Sequence, residues 1–288
     1  MAAATLDAAA AASPRQFDWV RRNPTIVIGS AILALFVVLA LIAPWIASDP
    51  LSFDPLNRLK RPSAEFWFGT DQFGRDVYSR VVHGTRISLI VGVSVAVIAT
   101  AIGLIVGVLC GYYRRVDDTV MRVMDGLMAI PAILLAIALI TLMKASLLIV
   151  IIAISLPEIP RVVRLVRSVV LTVRGLPYIE AAVASGTRGR IIMTRHILPT
   201  TVAPLIVQAT YVCASAILIE AGLSFLGAGT PPEIPSWGNV ISLGRQYFQI
   251  SPWIIFFPGL MLAIAVLAIN LVGDGLRDTL DPRIARRM

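Results

Sequence analysis

Hydrophobic positions along this chain are massed in long runs separated by short polar stretches. Six runs stand out, at about Thr25 to Ile46, Ile87 to Cys110, Gly126 to Met143, Ser146 to Pro160 and beyond, Thr200 to Leu226, and Pro252 to Val272. Each approaches the ~20 residues with which a helix crosses ~30 Å of hydrocarbon, so the pattern predicts six transmembrane helices. Pro157, Glu158 and Pro160 interrupt the fourth run. Such breaks are tolerated only where neighbouring helices or a water-filled cavity satisfy the freed backbone groups, which predicts that this span faces protein.

Composition agrees. Apolar residues make up 57% of the chain and charged residues 15%, against about 25% charged in soluble domains, so the fold class is an all-α integral membrane protein. The net charge of +8 reads as orientation, because basic residues collect on the cytoplasmic side, and calls for no nucleic acid. With the N-terminus inside, cytoplasmic segments hold 17 Lys and Arg and outer segments eight, which places both termini in the cytoplasm. The contrary charge lies mostly in an outer loop over 49–86, mixed there with Asp54, Glu65, Asp71 and Asp76. Residues 1–20 are alanine-rich and read as a disordered cytoplasmic segment ahead of a membrane domain over 21–288. The first apolar run exceeds the ~7–15 residues of a signal-peptide core and reads as an uncleaved anchor. Cys110 and Cys213 sit within apolar runs, as small buried hydrophobes do.

Several chemistries are missing. His83, His196, Cys110 and Cys213 lack the spacing of a zinc site, so no metal is expected. A phosphate-binding P-loop needs a Gly-Lys pair, whereas the only lysines, Lys60 and Lys144, follow Leu59 and Met143. The chain is expected to bind no cofactor and to hydrolyse no ATP itself. The glycines of "LSFLGAGT" (Leu223 to Thr230) lack the strand and helix that give a dinucleotide loop its meaning, and no nucleophilic elbow is evident. The chain therefore reads as a non-catalytic membrane protein.

Between Arg161 and Pro199 the hydropathy falls. Arg161, Arg164 and Arg167 form one basic stripe on the inner extension of span four, explained adequately by snorkelling to anionic lipid. Gly175-Leu176-Pro177 ends that helix, and a short one starts near Tyr178 with Glu180 in its first turn, where the helix dipole favours an acid. Ala181, Ala182 and Ala184 give it a face almost without side chains, open to close approach by another protein. Gly186 supplies the positive φ that stops the helix and turns the chain, and a second helix runs from Arg188 to Ile197 before Pro199 ends it. The expected shape is a helical hairpin beneath the membrane, over 161–199, shaped to enter a partner's groove.

The order Glu180-Ala181-Ala182, then Gly186, then His196-Ile197-Leu198-Pro199 is similar to the EAA loop of permease subunits in bacterial ABC importers. "FGTDQFGRDVYSRVVHGTRISL" (Phe68 to Leu89), "DGLMAIPAILLAIALI" (Asp125 to Ile140), "EAGLSFLGAGTPPEIPSWGNVI" (Glu220 to Ile241) and "GDGLRDTLDPR" (Gly273 to Arg283), the last opening a cytoplasmic tail over 273–288, narrow the match. Together they resemble the second, C-type permease of peptide-type importers, the group serving dipeptides, oligopeptides, nickel and glutathione. The resemblance covers Arg21 to the C-terminus; at Val183-Ala184-Ser185 the chain departs from the usual alanine-arginine-leucine pattern. It implies the type I importer permease fold, a homologous second permease, two P-loop ATPases carrying ATP and Mg, an extracytoplasmic solute-binding protein, and residence in the bacterial inner membrane. It further implies alternating access, with Tyr178, Glu180, Ala181, Ala182, Gly186, His196 and Pro199 receiving the ATPases' motion. Peptide is the expected solute, with nickel or glutathione as alternatives on the same machinery and an ion-coupled secondary transporter as the alternative class.

In span five, Thr201, Pro204, Gln208, Tyr211, Ser215 and Gly222 advance in steps that keep one helical face. That face is expected to line the translocation path, with Gln208, Tyr211 and Ser215 as its main members, although polar helix packing would use the same residues. Asp125 and Glu220, read as the only intramembrane acids, sit near opposite span ends. Asp125 is expected to pair with a cytoplasmic arginine, and Glu220 to take structural hydrogen bonds from the outer loop in preference to a substrate amine. Trp237, in "PSWGN", is expected at the outer interface as an anchor for the binding protein.

Overall fold

The computed structural model describes residues 23–280, which are helical apart from turns, loops and a lone Thr70–Asp76 bridge. The expected segment 1–20 and the end of the cytoplasmic tail lie outside the described residues. Helix α1 (Pro24–Ile46) begins with proline at its first position, where the absent N–H has no intrahelical role. Its buried residues Ile26, Gly29, Phe36, Ala40 and Ala43 share one face, which lies on the last helix, α10 (Trp253–Leu280). A Cβ on Gly29 would come within 2.8 Å of the Ala268 carbonyl oxygen, so glycine sets that approach.

Helix α2 (Val77–Tyr112) is 36 residues long, about 54 Å at 1.5 Å per residue. Asp76 caps it, accepting from the N–H groups of Tyr78 and Ser79. Its Gly103, Gly107 and Gly111 lie against Val162, Val166 and Val170 of α5 (Leu147–Arg174), where added Cβ atoms would fall 2.4–2.7 Å from the valines. Small residues every four positions let two backbones approach without hydrophobic help from lipid. The α2–α5 pair is the backbone of the main core, which α8 (Leu198–Phe225) completes with Val212, Ala216 and Leu223.

The chain between α2 and α5 departs from the sequence reading. Helices α3 (Arg114–Ala129) and α4 (Ala132–Met143) meet at 88°, so Gly126 to Met143 is not one straight span. Pro131 donates no hydrogen bond, and it drives Ile130 into an extended conformation (ψ 127°), as residues before proline prefer. The 12 residues of α4 reach only about 18 Å. Helix α5 is long enough to cross but carries Glu158, Arg161, Arg164 and Arg167. Among the described residues four helices are long and apolar enough to span, with the bent pair as a fifth candidate. The six runs therefore do not become six straight apolar helices. The fourth run does face protein: Ile154, Pro157, Glu158, Val162 and Val166 are all buried.

After α5 come α6 (Pro177–Ala184), the short α7 (Gly189–Ile191), a π-helical turn over Ile192–Ile197, and α8 (Leu198–Phe225). Pro199 does not end the helix as expected. It sits in the first turn of α8, and the wide π turn before it relieves the obstruction of the proline ring, leaving one continuous helix over Gly189–Phe225. Helix α9 (Trp237–Gly244) re-enters the protein and packs on α8 and α10. The loop ahead of α2 folds as a cap on the ends of α2 and α10. Asp71 accepts from Arg75 Nε at 2.7 Å and Arg80 Nη1 at 3.2 Å, Phe68 stacks on Phe257 at 3.9 Å, and Trp253 Nε1 donates to the Thr70 carbonyl at 3.4 Å.

Candidate functional site

One end of the molecule carries the hairpin. Proline at the first position of α6 and Glu180 in its first turn suit a helix start, and the end is closed by two backbone bonds, Thr187 N–H to Ala182 O at 3.1 Å and Gly186 N–H to Val183 O at 3.0 Å. That pair is a Schellman motif, which requires a left-handed residue between helix and exit. Gly186 supplies it with φ +75°. Ile179, Ile192 and Ile197 are buried in the main core, so the hairpin is held to the bundle from above. A Cβ on Gly189 would meet the Tyr112 hydroxyl at 2.9 Å, which seats the hairpin against the end of α2, and Arg174 Nη1 donates to the Tyr112 carbonyl at 3.1 Å, joining the ends of α2 and α5.

The underside is open. Tyr178, Glu180, Ala181, Val183, Ala184 and Gly186 are exposed, Ala182 is half-buried, and nothing lies within 4 Å of a Cβ placed on Gly186. The Tyr178 ring faces the half-buried His196 ring at 6.2 Å across the hairpin, and Pro199 is exposed at the base of α8. The result is a rigid two-helix surface with apolar side chains and small residues outward.

The arginine stripe above it is committed to protein rather than lipid. Arg161 donates to Glu158 at 2.8 Å, Arg164 to Asp125 at 2.6 Å, and Arg167 binds Asp117 through two nitrogens, one at 2.6 Å. Asp117 and Asp125 both lie on α3, so the last two pairs tie α3 alongside α5. The Asp125 pairing joins two elements 39 residues apart in sequence.

Glu158 was invisible as a site residue in sequence, where it registered only as a break in a span. It is fully buried on α5, and its Oε1 receives both Arg161 and the Ser215 hydroxyl of α8, the latter at 3.4 Å. Asp125 and Glu220 are thus not the only acids within the bundle. The α8 stripe divides at this point. Ser215 turns to Glu158, while Gln208 and Tyr211 line a cleft between α8 and α10 that also holds Thr210, Asn270, Asp274 and Arg277. This cleft of about 230 Å³ shares Val207, Gln208 and Arg277 with a cavity of about 770 Å³ reaching Leu165 and Pro204.

At the other end Glu220 is fully buried and accepts hydrogen bonds from Ser224 and Ser236, each at 2.8 Å, and from Thr230 at 3.4 Å. Asn239 reinforces the same loop by donating to the Thr230, Pro231 and Ile234 carbonyls. Trp237 is not the surface anchor expected from sequence. It has no exposed area, its Nε1 donates to the Val81 carbonyl at 3.1 Å, and Phe36 meets its ring edge-on at 5.6 Å. The re-entrant α9 carries it inward, where an indole with one satisfied N–H fills core volume. Among the described residues no cluster of three His, Cys, Asp or Glu could hold a metal ion.

Residues 99–286 match the family described as the binding-protein-dependent transport system inner membrane component, and residues 20–62 match the N-terminal TM domain of oligopeptide transport permease C. A probable peptide ABC transporter permease protein of Sinorhizobium fredii is 57% identical, the match covering 93% of this chain and 92% of that one. A dipeptide transport system permease protein of Alkalihalophilus pseudofirmus is 43% identical over 93% of this chain and 89% of its own. A glutathione transport system permease protein of Pectobacterium atrosepticum is 38% identical over 92% and 89%. Among solved structures, an inward-facing MetNI methionine ABC transporter chain superposes with a TM-score of 0.58 at 23% identity, covering 70% of this chain and 96% of the other, a likeness of fold. With a family model over most of the chain and relatives this similar along nearly all of it, the chain belongs to the binding-protein-dependent inner-membrane permeases of ABC transporters.

Proposed function

We propose that this chain is one of two permease subunits of an ATP-driven importer of peptides, working by alternating access in the bacterial inner membrane with both termini in the cytoplasm. The names of the relatives at 57% and 43% identity support the solute class. The partners in this reading are a homologous permease, two P-loop ATPases that hold ATP and Mg, and an extracytoplasmic solute-binding protein; this chain hydrolyses nothing. The observation that carries the coupling role is the hairpin Pro177–Ile197: rigidly seated through Ile179, Ile192 and Ile197, closed by Gly186, and open beneath. A surface that must pass on a partner's motion needs those three properties together. ATP binding draws the ATPases together, they shift the hairpin, and the shift is passed to α5 and α8, the helices on either side of it.

The test is binding-protein-stimulated ATP hydrolysis in proteoliposomes holding all subunits, with wild type beside Gly186→Val. Valine at φ +75° is strained by about 1–2 kcal/mol or more, so the hairpin turn is distorted while the bundle above persists. The expected result is intact assembly with hydrolysis no longer tied to peptide uptake. Normal coupled uptake by the variant would refute the hairpin's role, and solute movement by the chain under an ion gradient without ATP would refute the importer.

A further inference from the structure

Polar side chains on membrane helices cost free energy unless they meet protein, water or a solute. The α8–α10 cleft gathers six of them: Gln208, Thr210 and Tyr211 from α8, and Asn270, Asp274 and Arg277 from α10; the Thr210 hydroxyl donates to the Val207 carbonyl at 2.8 Å. Among the described residues none of the other five side chains has a hydrogen-bond or ion-pair partner; Gln208 is half-buried, and Tyr211, Asn270, Asp274 and Arg277 are exposed on the open cleft. Asp274 and Arg277 carry opposite charges three residues apart on α10, so they stand about 5–6 Å from one another at Cβ. They do not pair. Gln208, Asn270 and Tyr211 line the same cleft. Concavity, two separated opposite charges and neutral donors and acceptors beside them complement a small zwitterion whose charges are held apart by amides. The termini of a dipeptide lie up to about 7 Å apart.

Resting on the peptide reading above, we propose that this cleft is a peptide-binding subsite on the inner half of the permease. Asp274 receives the N-terminal ammonium, Arg277 the C-terminal carboxylate, and Gln208 and Asn270 the peptide amide. The adjoining cavity, contiguous through Val207, Gln208 and Arg277 and bordered by Leu165 and Pro204, takes the side chains. Its more apolar wall accepts varied side chains while the polar cleft reads features common to every peptide.

The test uses the complete complex in nanodiscs without binding protein, and equilibrium dialysis against radiolabelled dialanine, its C-terminal amide and its N-acetyl form. Wild type is expected to retain dialanine more tightly than either blocked peptide. Arg277→Gln is expected to weaken dialanine by about ten- to a hundredfold, as loss of a charge-assisted hydrogen bond does, with the amide unchanged; Asp274→Asn does the same with respect to the N-acetyl form. Equal weakening of all three peptides, or of none, overturns the subsite, as does release of the partner permease by Arg277→Gln, which would make the cleft a subunit contact. Asn270→Ala, which removes no charge, keeps the question open to test if a charge variant fails to fold: unchanged dialanine binding in it also counts against the subsite. Uptake assays with binding protein separate the two ideas, because an importer that carries no peptide refutes the functional reading, whereas peptide uptake with end-group preference untouched in the variants refutes the subsite alone.

Discussion

Gly186 and Glu158 show how differently two residues announce themselves. The left-handed turn at Gly186 is a local property of a short alanine-rich helix, so spacing alone indicates it. Asparagine tolerates that backbone better than β-branched residues. Gly186→Asn is therefore expected to keep a larger share of coupled uptake than Gly186→Val, and equal loss in both would mean that the open space around Gly186, not its φ, matters. Glu158 depends on Ser215, 57 residues away, and no periodicity foretells that contact. Its carboxylate is fully buried while Arg161 remains 41% exposed, so water screens part of the pair and its worth falls below that of an enclosed one. Glu158→Gln retains an acceptor for both partners. Glu158→Ala leaves Ser215 and Arg161 without it and opens a void, at about 1–3 kcal/mol. Thermal unfolding of the detergent-solubilised chain should rank wild type above Gln and Gln above Ala; indistinguishable Gln and Ala variants would show that the contacts to Glu158 contribute nothing.

Elements were legible where a single run makes them and obscure where two elements define each other. α1, α2 and α10 follow from apolar length, and α6 from its flanking breaks. The bend between α3 and α4 was missed because Pro131 lies inside an apolar run and reads as tolerated, whereas the folded chain uses it to turn by 88°. Pro199 misled in the opposite direction, since a π turn absorbs it. The glycine row of α2 gains its meaning from the valine row of α5. A methyl on Gly107 would sit 2.7 Å from Val166 Cβ and 2.9 Å from the Val163 carbonyl oxygen. Gly107→Ala is expected to push the helices apart and lower the unfolding temperature, overpacking of this kind costing about 1–3 kcal/mol. Val166→Ala in that background removes only the Cγ1 contact at 2.9 Å and keeps Val166 Cβ and the Val163 oxygen, so it is expected to recover the smaller part of the loss, although alone it destabilises by leaving a void. Purely additive effects would place the strain elsewhere.

For the whole molecule the number of crossings turns on the bent pair and on α5, which is long enough to cross but charged; with α5 crossing, the pair decides. If α3 and α4 together cross, then α2, the pair and α5 make three crossings between the outer cap and the hairpin, which face opposite compartments. If the pair only dips into the membrane and returns, there are two crossings, and cap and hairpin share a side. The hairpin's proposed work on cytoplasmic ATPases demands the first. Cys110 is buried and Cys213 half-buried in the bundle, so a charged maleimide meets little background, and Ala64→Cys in the cap and Thr194→Cys in the hairpin both place a thiol on exposed positions. Thr194→Cys is expected to label only in inverted vesicles and Ala64→Cys only in right-side-out ones, as the basic residues gathered on 161–199 also require. Labelling of both from one side would make the pair re-entrant and detach the hairpin from any cytoplasmic motor. Labelling from opposite sides requires an odd number of crossings between them, three where the pair and α5 both cross, with Pro131 as a bend within the second. The α3–α5 ion pairs, Asp117 with Arg167 and Asp125 with Arg164, then lie on the cytoplasmic side, where water and the hairpin's partner both reach them.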